Sequence, residues 1–420
     1  MSIPRNSSNP GPSTQEPWHR NDPFIRTYWT EELFEKYGTL GPDNFERTYL
    51  TNPIHPVFQP LESKPWAVNG TRLASRLLTL PQLMCFWWMI FEPSPLKLNQ
   101  LSRQLGCNIL LLNLPTFPLS ESQCETLDYK MQLAGTAVVW SDRTIDQAWG
   151  RTTRLNDQAP KPLAGTKSVI EVHSVFRDLD PDNKNMKEWQ KICAEFIFAM
   201  TLVHEFVHAA WLATWPCPEQ LGYPPGTPEP DPYFVSYSRS ELGHSWEQET
   251  FHNKFMTGAE FVDFKLGLMV VKWPDGVSDV LGGVKVDLKI KKWNTYYLVP
   301  FKWTASLFED RFWTTTVRKY GVSALRPKKR IGRRIYNSEW IMLHQRPDGT
   351  VPSSSSQDGL SPNDSSRDKP VDADLFVRLA SPPASSTESS TESSLESEDL
   401  LLSYNPENDV GWGGLGGMQP

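Results

Sequence analysis

The sequence predicts an α+β domain built around one long buried helix and flanked by two disordered ends. Three observations lead there. Trp189, Ile192, Cys193, Phe196, Ile197, Met200, Val203, Val207 and Trp211 recur at helical spacing, the apolar stripe of a helix packed against a core. Upstream, residues 134–140 and 168–175 are rich in β-branched residues and read as strands. After about Arg346 the composition shifts to Ser, Pro, Asp and Glu, a mixture that cannot bury enough apolar area to fold alone.

The chain has 420 residues, and we read it as one large domain over 26–345 with an arm at 1–25 and a tail at 346–420. Seventeen Trp, 20 Phe and 12 Tyr supply the aromatic mass for a sizeable core. Short aromatic segments between Thr27 and Trp66 suggest an irregular arm around that core. Residues 73–112 are mainly helical in pattern. The most apolar stretch outside the long helix, Leu77 to Phe91, is too short for a membrane span and is interrupted by Pro81 and Gln82. Residues 285–291 alternate as a strand that could end in a hairpin, with 296–303 continuing it. The aromatic run from Phe301 to Trp313 reads as packing.

Composition narrows the function classes. With 42 basic against 49 acidic residues and no base-reading module, nucleic acid is not an expected partner. The formal net charge of −7 owes much to the tail. Cys85, Cys107, Cys124, Cys193 and Cys217 are an odd, scattered set behind a polar, Pro-rich start, which suits reduced thiols in the cytoplasm. The cluster Arg326 to Arg334 holds six basic residues in nine. It reads as a solvated turn, a nuclear-import signal or a patch for an anionic partner. In the tail, Ser385, Ser389 and Ser393 stand in S-x-x-E spacing that suits acid-directed kinases, and the tail could carry protein contacts.

The long helix is expected over about 186–214, opened by a capping box of Asn185 and Glu188 and stopped by Pro216. Within it lies His204-Glu205-Phe206-Val207-His208, an H-E-x-x-H pattern. Residues four apart on a helix share a face, so His204 and His208 can grip one metal ion while Glu205 lies beside them. Two core histidines that merely pack are the competing reading. It leaves Glu205 as a buried acid with no task.

Catalytic zinc takes three protein ligands and keeps one position for water. The third ligand does not follow the metzincin pattern, because its Gly and His positions hold Trp211 and Thr214. No C-x-x-C pair supports a zinc ribbon. After a Pro-rich excursion over 215–232, the segment 238–252 offers Glu241, His244, Glu247 and Glu249. On one regular helix Glu241 and Glu247 point apart, whereas Glu241 and His244 share a face. His173 alternates with apolar residues on its strand and is expected to be structural.

Glu247-Gln248-Glu249-Thr250-Phe251 resembles the third-ligand segment E-x-x-T-F of clostridial neurotoxin light chains and related bacterial effector peptidases. Those proteins continue with Gly-Gly where this chain has His252-Asn253. The chain also resembles a group of uncharacterised fungal proteins in which H-E-x-x-H is followed by E-x-G-x-x-W-E, matched here by Glu241, Gly243, Trp246 and Glu247. Both resemblances are confined to the motif helix and this segment.

They imply a gluzincin-type zinc metallopeptidase with a zincin-like fold, whose edge strand flanks the cleft. Zn2+ would sit on His204, His208 and Glu247, with His244 or Glu241 as alternative third ligands. In the His244 alternative, Glu241 orients a ligand. Zinc brings its bound water to a pKa near about 7, and Glu205 would take the water's proton and pass it to the leaving amine. The toxin-like R-x-x-Y pair is matched by Arg333 and Tyr336 as oxyanion donors, with Tyr296, Tyr297 and Tyr320 competing. The expected substrate is a peptide or protein. Two other readings stand beside this one: a catalytically silent zincin scaffold, and a zinc hydrolase of small amides or esters.

Overall fold

In the computed structural model, the described residues are 31–92, 96–97, 110–112, 115, 118–146, 148–155, 163, 165–180, 183–215, 231–234, 241–257, 264–271, 280–281, 284–285, 293–327 and 332–336. They form a mixed helix and sheet structure, α+β in class. Both expected tails lie outside the described residues.

The elements that position the site run in this order: α1 (Val68–Leu78), α2 (Met84–Phe91), α3 (Glu121–Thr136), β1 (Val138–Ile145), β2 (Gly150–Arg154), β3 (Ser168–His173), α4 (Glu188–Thr214) and α5 (Leu242–Phe251). After them come β4 (Lys254–Thr257), β5 (Leu268–Val271), β6 (Trp293–Leu298) and β7 (Gly332–Tyr336). One sheet has the order β1-β3-β2, with β1 parallel and β2 antiparallel to the central β3. A second, antiparallel sheet has the order β7-β6-β5-β4.

Helix α4 is the axis of the core, and α1, α2, α3, α5 and the first sheet pack around it. It is apolar on nearly every side, which a helix tolerates only when enclosed. By length and composition it could cross a membrane, yet 83% of its most apolar window is buried inside the fold. Three of its four Lys and Glu residues, Glu188, Lys191 and Glu195, are paired. Arg47 meets Glu195, Asn69 Nδ2 donates to Glu195 Oε2 at 2.6 Å, and Lys191 Nζ lies 2.8 Å from Glu188 Oε1. Buried charges left unpaired would cost several kcal/mol each, of order 3–5.

Several boundaries differ from the sequence reading. The N-cap of α4 is Lys187, two residues after the expected Asn185. Gln190 Oε1 accepts from the Lys187 N–H at 2.9 Å, and Asn185 instead donates its N–H to Asn183 Oδ1 in a turn before the helix. Residues 134–136 belong to α3 and not to a strand. A Ser120–Gln123 capping box starts that helix strongly, and it closes only where the Ala137 N–H reaches Ala134 O. The 73–112 region is helical to Phe91 and then gives two short strands at 96–97 and 110–112. The 168–175 strand stops at His173, whose Nδ1 accepts from the Val175 N–H at 3.0 Å and caps a 3-10 turn over 174–179. Residues 301–306 form a helix and do not extend β6. Most of 285–291 lies outside the described residues.

Candidate metal centre

Three carboxylates and three histidines meet where α5 crosses α4. The sequence reading held Glu241 and Glu247 apart because it treated them as two positions of one regular helix. Glu241 is instead the N-cap of α5, with extended backbone at φ −164° and ψ 107°. Its Oε2 folds back to accept the His244 N–H, the usual satisfaction of an orphan helix donor. Its Oε1 is thereby held 2.7 Å from His208 Nε2 and 3.1 Å from His204 Nε2.

Glu247 reaches the same histidine from the other side. Its Oε1 is 2.8 Å from His204 Nδ1 and 3.0 Å from His244 Nδ1. Asp231, which the sequence reading did not single out, does the equivalent for the second motif histidine. Its Oδ2 lies 3.2 Å from His208 Nδ1 and accepts the Leu242 N–H at 2.9 Å, which also fixes the start of α5. Each motif histidine thus has one ring nitrogen on its own carboxylate and the other on Glu241. Among the described residues two groups of three could hold a metal ion, His204–Glu241–His244 and His208–Asp231–Glu241, with all donor atoms of a group within 4.8 Å of one another, so each motif histidine falls in a different group. Glu241 belongs to both. Glu249 belongs to neither.

The electrostatics follow from burial against pairing. For His204, burial disfavours the charged ring, but Glu241, Glu247 and Glu205 together outweigh it and push its pKa up to about 10. His208 is likewise raised well above its usual value, its burial overcome by Asp231 and Glu241. Burial would raise the Glu247 carboxyl, yet His244 and His204 hold it down to about 2. Glu241 is held well below the usual carboxylate range by the same histidines and His208. Burial lowers His244. The cluster therefore stores protons on His204 and His208 that a metal ion must displace to bind.

Glycines set the approach of the flanking elements. A Cβ at Gly243 would lie 2.3–2.4 Å from the His204 ring, so only Gly lets the first turn of α5 rest on that imidazole. Trp246, one turn on, is fully buried in the core. The spacing E-x-G-x-x-W-E is accordingly a packing code: cap, close approach, core anchor, acceptor for Nδ1. We expect Gly243→Ala to displace His204 and weaken metal binding by at least about tenfold, the scale of lost positioning around a metal ligand. Metal titration of the folded variant checks this, and wild-type affinity would refute the close-approach argument.

Glu205 is 6% exposed and faces β2. Thr152 Oγ1 stands 2.7 Å from its Oε2 and 2.9 Å from its main-chain carbonyl. A Cβ at Gly150 would lie 2.6 Å from Glu205 Cγ and 2.7 Å from Oε1, so the side chain occupies space that Gly150 leaves open. Strand β2 is an edge of its sheet. Neither Thr152 nor Gly150 carries a sequence signal of its own, since their role appears only once β2 is laid against α4.

Arg333 and Tyr336 stand in β7, opposite Tyr296 and Trp293 of β6. At a spacing of three in an extended strand the two positions belong to opposite faces of the sheet. Their side chains lie outside the described residues, as do 328–331 of the basic cluster. Comparison with family models, curated proteins and solved structures returns no match.

Proposed function

We propose that the chain is a zinc-dependent hydrolase that cleaves peptide bonds, with His204, His208 and Glu241 as the metal ligands and a zincin-like arrangement of α4 and β2. One observation carries the reading: both motif histidines turn Nε2 to the same Glu241 oxygen, while Nδ1 of each is held by a separate carboxylate. Two imidazoles and a carboxylate are one of the donor sets of catalytic zinc sites. A carboxylate on the far nitrogen fixes tautomer and ring orientation. Glu247 and Asp231 take that positioning role, in place of the ligand role that the toxin-like resemblance implies for Glu247.

Bound zinc supplies a Lewis acid and a water acidic enough to be deprotonated near neutral pH. With that metal in place, Glu205 would take up the water's proton and pass it to the leaving amine. Thr152 steadies one Glu205 oxygen through its hydroxyl. Among the described residues β2 pairs with no strand on its outer side, and such an edge offers backbone groups to an extended chain, which favours a peptide or protein over a small amide or ester as substrate. Among the described residues Cys124 and Cys193 form no disulfide, which suits a reducing, cytoplasmic setting.

A second reading rests on Glu205 itself. Its burial and its bond to Thr152 also suit a metal-binding scaffold without turnover. Metal analysis of the purified chain and digestion of a mixed peptide library separate these outcomes. We expect about one zinc per chain, and cleavage that a chelator stops and added zinc restores. No bound metal even after zinc is supplied would end the metal reading. Bound zinc with no cleavage of any peptide or small amide would favour the scaffold.

A further inference from the structure

A cavity of about 520 Å³ opens on the first sheet, lined by residues that do not belong to the histidine cluster. This volume falls within the roughly 300–1,000 Å³ of small-molecule sites. Two indoles form its walls. Trp66 packs on Phe198 with ring centres 5.3 Å apart. Trp140 meets Phe58 at 5.7 Å and donates Nε1 to Val57 O at 3.0 Å. Both walls are therefore anchored from behind. Ile170 and Val172, alternate residues of β3, line the same cavity and are buried.

The rim is polar and is shaped by an irregularity in β1. Trp140 pairs with Ile170 and Thr144 with Val172, so residues 141–143 face Glu171 alone and the strand bulges there. Bulges re-aim side chains and are frequent beside binding sites. Here the bulge carries Ser141 and Asp142 at the cavity. Lys64 Nζ lies 3.0 Å from Asp142 Oδ1, so that carboxylate already has its cation. Arg177 donates Nη2 to the Asp142 main-chain carbonyl. Among the described residues Arg177 stands in no direct ion pair, although its charge reaches the Asp142 carboxylate, and it lines the cavity. A guanidinium fork matches a carboxylate or phosphate with two parallel hydrogen bonds.

We infer that this cavity binds a small aromatic acid, its flat ring between Trp66 and Trp140 and its anionic group on Arg177. Isothermal titration of the full chain tests this with three probes: 2-naphthoate, 2-naphthyl phosphate and the neutral 2-naphthamide. The expected result is saturable binding of at least one anionic probe, with the amide about tenfold weaker or more, the loss of a charge-assisted hydrogen-bond pair. The tighter of the two anions tells whether a carboxylate or a phosphate is the natural group. Arg177→Gln, on an exposed residue, should weaken the anion by a similar factor and leave thermal unfolding unchanged. Glu205→Gln should bind the probe as wild type does. No saturable binding, equal affinity for amide and acid, or an Arg177→Gln variant with wild-type affinity would each overturn the inference. The result does not depend on whether the histidine cluster holds zinc.

Discussion

Glu241→Ala is expected to strip zinc from the purified chain, whereas Glu247→Ala should keep a zinc site about 10–100-fold weaker, the usual range for a residue that positions a ligand. The difference follows from which nitrogens the two carboxylates face. Glu241 Oε1 lies at Nε2 of both motif histidines, and Glu247 Oε1 lies at Nδ1 of His204 and His244. Removing the first takes away a ligand. Removing the second loosens a ring. Because Glu241 also caps α5, Glu241→Ala should cost about 1 kcal/mol of stability from that end alone. Glu241→Gln keeps an oxygen for the cap and loses the charge, so its zinc content separates ligation from folding. The opposite pattern, with zinc lost from Glu247→Ala and kept in Glu241→Ala, would establish the ligand set implied by the toxin-like segment.

Glu205→Gln should retain the metal and lower turnover by about 10²–10⁴, the contribution of a positioned general base. The amide oxygen of Gln can still accept from the Thr152 hydroxyl that now meets Glu205 Oε2, so the helix and edge strand should stay in place. Metal analysis and peptide cleavage on the same preparations read both halves of the expectation. Undiminished cleavage by the variant would remove Glu205 from the proton-transfer role.

The helical stripe and the motif were legible because each has a local period, and the segment that crosses them was legible through its candidate ligands and its resemblance to known third-ligand segments. Nine apolar residues and two histidines at helical spacing need no tertiary knowledge to place on one helix. The set Glu241, Gly243, Trp246 and Glu247 was visible as a pattern, yet its division of labour was not. That division depends on Glu241 standing outside α5 in extended backbone, and periodicity says nothing about a cap's side-chain path. Asp231 sat in a Pro-rich stretch with no repeat to mark it, and its role arises only from its contact with His208 across the fold. Gly150 and Thr152 depend on how β2 lies against α4. Two of the errors in the elements share one cause. At 134–136 and 301–303, short apolar or β-branched runs suit either a strand or a helix, and the helix was decided by capping or tertiary contact beyond the run.

The residue that opens α5 is an unusual choice for its place. Ser, Thr, Asp and Asn lead at helix N-caps because a short side chain returns easily to the first turn. A chain selected only to start this helix would have little reason to keep the longer Glu. With one more methylene, Glu241 can give one oxygen to the His244 N–H and the other to the histidines of α4. The same side chain therefore starts a helix and tethers it to its neighbour. An Asp there would satisfy the turn and fall short of the imidazoles, so the side-chain length itself records a second duty.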